Sequence, residues 1–112
     1  MKPSREIISP DGNKIFRQYI LPGVTIWSVE LAPGTRHYIE PAQPGDGFFA
    51  ILFLSGSWRL HNSGKESGPE DLGWHQRNPD GSWPQSWWSE YHADDYCEAG
   101  PNGVKWLCFQ RN

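Results

Sequence analysis

Turn chemistry recurs along this chain at short intervals. Ser9-Pro10-Asp11-Gly12, Pro22-Gly23, Pro33-Gly34, Asn78-Pro79-Asp80-Gly81 and Gly100-Pro101-Asn102-Gly103 each join a proline to a glycine or asparagine. The proline presets φ, and the glycine or asparagine accepts the positive φ that follows. No segment between these turns holds a helical apolar period over the roughly 10–12 residues that a helix needs. Ala93 to Glu98 has room for one helical turn. The pieces read instead as strands: Glu6 to Ile8, Ile15 to Ile20, Val24 to Leu31, Phe48 to Leu54, Trp58 to His61, Leu72 to Arg77, Trp87 to His92 and Val104 to Phe109. Short strands at near-regular spacing predict an all-β sandwich or barrel. Its 112 residues fit one domain, and the polar stretch from Asn62 to Asp71 reads as a hairpin loop rather than a boundary.

Strand parity suggests which faces turn inward. Val24, Ile26 and Ser28 share one side of their strand, and Trp27, Val29 and Leu31 share the other. Phe48 to Leu54 is apolar on both sides and should lie centrally between layers. Further on, Trp88, Glu90 and His92 fall on one side while Trp87, Ser89 and Tyr91 fall on the other. Seven tryptophans exceed what one small core needs, since each buries on the order of 200 Å². Trp27 and Trp106 suit the core, and Trp88 beside Glu90 suits a pocket wall.

Composition removes several function classes. With 10 Lys and Arg against 13 Asp and Glu the net charge is −3, and the basic residues are scattered, so nucleic acid is not an expected partner. No apolar run approaches the ~20 residues of a bilayer span, and Met1 to Glu6 lacks the apolar core of a signal peptide. A cytoplasmic protein without a membrane partner is therefore expected, with Cys97 and Cys108 as free thiols. There is no Gly-x-Ser-x-Gly elbow and no phosphate loop. Cys97 stands beside Asp94 and Asp95, which disfavour its thiolate, and Cys108 alternates with Val104 and Trp106 as a small core residue.

Leu31-Ala32-Pro33-Gly34-Thr35-Arg36-His37, the strand Phe48 to Leu54, and Ser55-Gly56-Ser57-Trp58-Arg59-Leu60 together resemble the first motif of the small single-domain cupin family. The stretch from Trp83-Pro84 through His92, with Gly100 and Val104 to Phe109, is similar to the second motif. The likeness runs from about Val24 onward and rests on turn placement and hydrophobic pattern. It implies a cupin-like β-barrel or two-sheet jelly roll with its site at the open end. It also implies pairing through edge strands, for which the Ser9-Pro10-Asp11-Gly12 hairpin would serve a homodimer. The family's metal ligands are two histidines and a glutamate in the first motif and a histidine in the second. Here Glu40, Ala42 and Phe49 stand at the first three, only His92 could match the fourth, and the loop from Pro41 to Gly47 is longer than the family pattern. The usual metal site, and with it a cofactor, is therefore not expected. A rearranged divalent-metal site of His37, Glu40 and His92 is the alternative.

These readings converge on a small organic ligand held in an aromatic-lined barrel by His37, Tyr38, Glu40, Phe49, Trp58, Trp88, Glu90 and His92. The rings would supply contact area, while the carboxylates and histidines would select a hydrogen-bond donor or a cation. Two other classes compete with this one. The first is an enzyme, either metal-dependent with altered ligands or a metal-free isomerase or epimerase, with His92 or His37 as base and Glu90 or Glu40 as acid; Asp46 is a further carboxylate candidate. The second is a carbohydrate-binding β-sandwich with Trp83, Trp87 and Trp88 as a platform. His61 and His75 complete the histidines, and none of the four forms a short ligand pair.

Overall fold

β-Branched and aromatic residues between glycine turns pair here into one antiparallel sheet. The computed structural model describes residues 1–38, 45–61, 66, 72–77, 79 and 96–112. Seven strands make up the sheet: β1 (Arg5–Ile8), β2 (Lys14–Leu21), β3 (Val24–Leu31), β4 (Arg36–Tyr38), β5 (Phe48–Leu60), β6 (Gly73–Gln76) and β7 (Tyr96–Arg111). Their order is β1-β2-β3-β7-β5-β6, with β4 also paired to β7. The fold is all-β, and no helix occurs among the described residues. None is therefore long and apolar enough to cross a membrane. The strand expected over Trp87 to His92 lies outside the described residues, as does nearly all of the loop from Asn62 to Asp71.

The first turn shows how closely local chemistry sets the backbone. Gly12 takes φ 76°, Ser9 Oγ donates to Asp11 Oδ1 over 2.6 Å, and the Asn13 N–H donates to the same oxygen over 2.9 Å. The Asx geometry closes the hairpin and starts β2 opposite β1. Pro22-Gly23 then turns β2 into β3, with Leu21 opposite Val24 and Gly23 at φ 80°.

Two expected breaks are instead kinks inside long strands. Phe48 to Leu54 and Trp58 to Leu60 form one strand, β5, although Ser55-Gly56-Ser57 resembles a turn. Gly100 to Gly103 lies within β7. Gly56 pairs with Val104 but Trp58 with Ala99, so those four residues bulge out of register. Such bulges bend a strand without ending it. The crossing demands glycine: a Cβ on Gly56, at φ 88°, would sit 2.1 Å from the Gly103 carbonyl oxygen. Extended Tyr96 to Glu98 also replaces the helical turn considered for Ala93 to Glu98, because these residues find ladder partners in β4.

The sheet has one buried face. Val29, Leu31, Ile51, Phe53, Trp58, Leu60, Cys97, Ala99, Val104 and Trp106 form the core, with Phe16 and Cys108 packed against it. Phe16 on β2 and His37 on β4 belong to strands that do not pair, yet their rings lie 5.7 Å apart. The core face is therefore concave. Trp106 is core as expected, whereas Trp27 is only half-buried and its indole N–H donates to Gln110 Oε1. On the opposite face Glu6, Arg17, Glu30 and Lys105 alternate in sign across β1, β2, β3 and β7. Cross-strand neighbours of opposite charge suit a solvated face.

Candidate functional site

Aromatic rings run in a chain along the concave face. His37 lies between Phe16, at 5.7 Å, and Trp106, at 6.0 Å. Trp106 meets Phe53 at 5.9 Å. Phe53 stacks on Trp58 at 4.3 Å and takes His75 edge-on at 5.3 Å. Inward parity produces the row, because Phe53 pairs with Trp106 and His37 with Cys97. Burial, reinforced by the nearby Lys14 cation, lowers the His37 pKa to about 4. Its imidazole is thus neutral near pH 7 and offers one donor and one acceptor. Burial pushes the Cys108 thiol up to about 12, which makes it an inert packing group.

A cleft of about 350 Å³ opens where the kinks of β5 and β7 meet the start of β4. Gly34, Ala99, Gly100 and Pro101 line it together with Ser57, Trp58, Arg59, Glu66 and Glu98. The kinks bring the strands close: a Cβ on Gly100 would fall 2.0 Å from Ser57 Oγ. Trp58 is 3% exposed, so it supplies a narrow strip of floor. Arg59 donates to Glu98 Oε2 over 2.9 Å, and its backbone bridges to Glu66. The lining therefore carries two carboxylates against one guanidinium, and Glu98 already engages that guanidinium. An excess of one negative charge beside apolar Pro101 and Ala99 suits a ligand that joins a cation to an apolar body.

Of the ligand residues expected from the sequence, His37, Tyr38, Phe49 and Trp58 are described. Glu40, Trp88, Glu90 and His92 lie outside the described residues, as do Trp83 and Trp87. His37 and Trp58 share the concave face through Trp106 and Phe53. Tyr38 is 63% exposed and tilts against Tyr96 at 5.5 Å. Phe49 belongs to another ring group, 6.4 Å from Phe109, which in turn meets Trp74 at 4.9 Å. The four described residues thus do not share a single site.

Among the described residues no group of three or more His, Cys, Asp and Glu side chains is placed to hold a metal ion. His61 stacks on Tyr96 at 4.3 Å, away from the ring chain that contains His37 and His75. Asp46 has a structural part: it accepts from Arg77 over 2.8 Å and from the Phe48 N–H over 2.9 Å, anchoring the entry to β5. Cys97 is buried and Cys108 half-buried.

No family model matches the chain, and no curated protein does either. Ser57, Arg59, Glu66 and Glu98 enter the cleft without having been singled out together from the sequence. The alternation in Trp58-Arg59-Leu60 does turn Arg59 away from the core. Only the cross-strand register with Glu98 and the bridge to Glu66 show what it meets.

Proposed function

We propose that this chain is a binding module for a small organic cation, specifically a primary amine with an apolar body. One observation carries the reading: the cleft at the β5–β7 kinks surrounds a single, already paired guanidinium with two carboxylates. The ammonium would sit between Glu66 and Glu98, and the apolar body would lie on Pro101, Ala99 and the edge of Trp58. Its volume is near the lower end of small-molecule sites, which start at about 300 Å³. The all-antiparallel pairing and the concave aromatic face support a cupin-like closure of the strands, with this cleft at one end.

Phenethylamine is a suitable probe and phenylacetate its control, since the two pair similar apolar bodies with opposite charges. Saturation-transfer NMR should show saturable binding of the amine and none of the acid. Glu66→Gln should weaken the amine about tenfold, the loss expected when one charge-assisted hydrogen bond becomes neutral. Equal binding of both probes, or an unchanged affinity in Glu66→Gln, refutes the proposal.

A further inference from the structure

An amine in the β5–β7 cleft leaves one charge at its mouth unanswered. Arg36 opens β4, two residues after Gly34, which lines the cleft. It lies directly across from Glu98, so the two side chains share the outer face of the sheet. Glu98 nevertheless pairs with Arg59, and Arg36 leans along β7 instead, its guanidinium carbon 5.0 Å from the centre of the Tyr96 ring. His61 stacks on the same ring at 4.3 Å. β4 and β5 flank this part of β7 on opposite sides, so Arg36 and His61 reach Tyr96 from opposite directions.

A cation–π contact restrains a guanidinium without occupying its fork of N–H donors. Among the described residues the Arg36 fork has no hydrogen-bond or ion-pair partner, and the side chain is exposed. With Arg36 included, the cleft and its mouth balance two carboxylates against two guanidiniums. A cation alone leaves that fork empty, whereas a zwitterion answers it.

We propose that the cleft takes an α-amino acid with an apolar side chain, whose carboxylate is held by Arg36. This rests on the amine reading above, with the ammonium between Glu66 and Glu98 and the apolar body on Pro101 and Ala99. The order of residues along β7 matches the order of groups: Pro101 and Ala99, then Glu98, then Tyr96 with Arg36 over it. Glu98 and Tyr96 are two residues apart, about 7 Å along a strand. A charge-assisted hydrogen bond spans about 2.8 Å, and the nitrogen and carboxyl carbon of an α-amino acid lie about 2.5 Å apart. An ammonium and a carboxylate on one carbon therefore bridge Glu98 to Arg36 over about 8 Å, and longer spacers overshoot. An anion without an ammonium gains Arg36 but meets both carboxylates, so phenylacetate is still excluded.

NMR titration of the isotopically labelled full chain with phenethylamine, L-phenylalanine and D-phenylalanine tests the carboxylate contact, because the three share one apolar body. The better enantiomer should bind about tenfold tighter than phenethylamine, the gain of one charge-assisted contact. The other enantiomer, which must forgo one of three contacts around the same carbon, should be about tenfold weaker than the first. Arg36→Gln should weaken the better enantiomer about tenfold more than it weakens phenethylamine. If wild type binds phenethylamine but neither enantiomer more tightly, the carboxylate contact is overturned and the amine reading stands. Equal affinity for the two enantiomers, or an Arg36→Gln variant that weakens amine and amino acid alike, overturns it in the same way. A wild-type chain that binds none of the three refutes the amine reading and this inference with it.

Discussion

His37 couples folding to acidity. Its imidazole lies between Phe16 and Trp106, and burial, then the Lys14 charge, lowers its pKa from 6.5 to about 4. Between those two values the unfolded chain takes up a proton that the folded chain refuses. Stability from this group is therefore fully present above pH 6.5 and is lost progressively as pH falls toward 4. The fall from 6.5 to about 4, at about 1.4 kcal/mol for each pH unit, gives a loss of about 3 kcal/mol. Carboxylates protonate over part of the same range, so the comparison has to isolate His37. His37→Phe keeps a ring between Phe16 and Trp106 and cannot titrate. Urea unfolding followed by far-ultraviolet circular dichroism, at steps from about pH 7 to about pH 4, should show wild type losing about 2–3 kcal/mol more than the variant. Parallel stability curves for the two proteins would mean that His37 takes up its proton as freely folded as unfolded. The burial argument would then fail.

The other expectations concern stability. Gly56→Ala should cost about 3–5 kcal/mol in urea unfolding, because a positive-φ penalty adds to a backbone clash. Gly12→Ala, at φ 76° with nothing within 4 Å of the added Cβ, should cost only about 1–2 kcal/mol; equal losses would remove the clash from the account. Among the described residues Thr35 Oγ1 is buried without a hydrogen-bond partner. Thr35→Val should therefore raise stability by about 0.5–1 kcal/mol, and a loss of stability would show that the hydroxyl is satisfied. Asp46→Ala removes the 2.8 Å ion pair to the half-buried Arg77 and the acceptor for the Phe48 N–H and should lower stability by about 2–3 kcal/mol, with thermal unfolding as the measure.

Strands bounded by proline–glycine turns were legible because the signal is local. Pro22-Gly23 determines both the turn and the register on either side of it, and Val24 to Leu31 was bounded correctly from its pattern alone. Gly56 and Gly100 to Gly103 misled because a glycine at positive φ serves a turn and a bulge equally well. What separates them is whether the flanking residues find ladder partners far away in sequence. The cleft was hidden for the same reason. Arg59 and Glu98 are neighbours only through a register that the irregularity between Gly56 and Trp58 displaces by three residues. Trp58 was legible as an aromatic near a site, but its depth in the core follows from the stacking of Phe53 across the same kink. His37 was legible as inward-facing by its place in the motif, whereas its neutrality depends on rings brought to it from β2 and β7.

The order of the strands also constrains how such a chain is made. β7 lies between β3 and β5 and pairs with β4, yet it follows all of them in sequence. During synthesis β1, β2 and β3 can assemble as a meander, but β3 and β5 each present an open edge until β7 emerges. The pairings of β3, β4 and β5 with β7 therefore all wait on the last strand, an arrangement that slows folding and prolongs the exposure of apolar edges. Chains that stall before β7 would leave one edge of β3 and one edge of β5 without a neighbour. For a nascent chain the hazardous interval is the distance from Leu60 to Arg111, and a holdase acting over that interval would determine yield more than any single core residue.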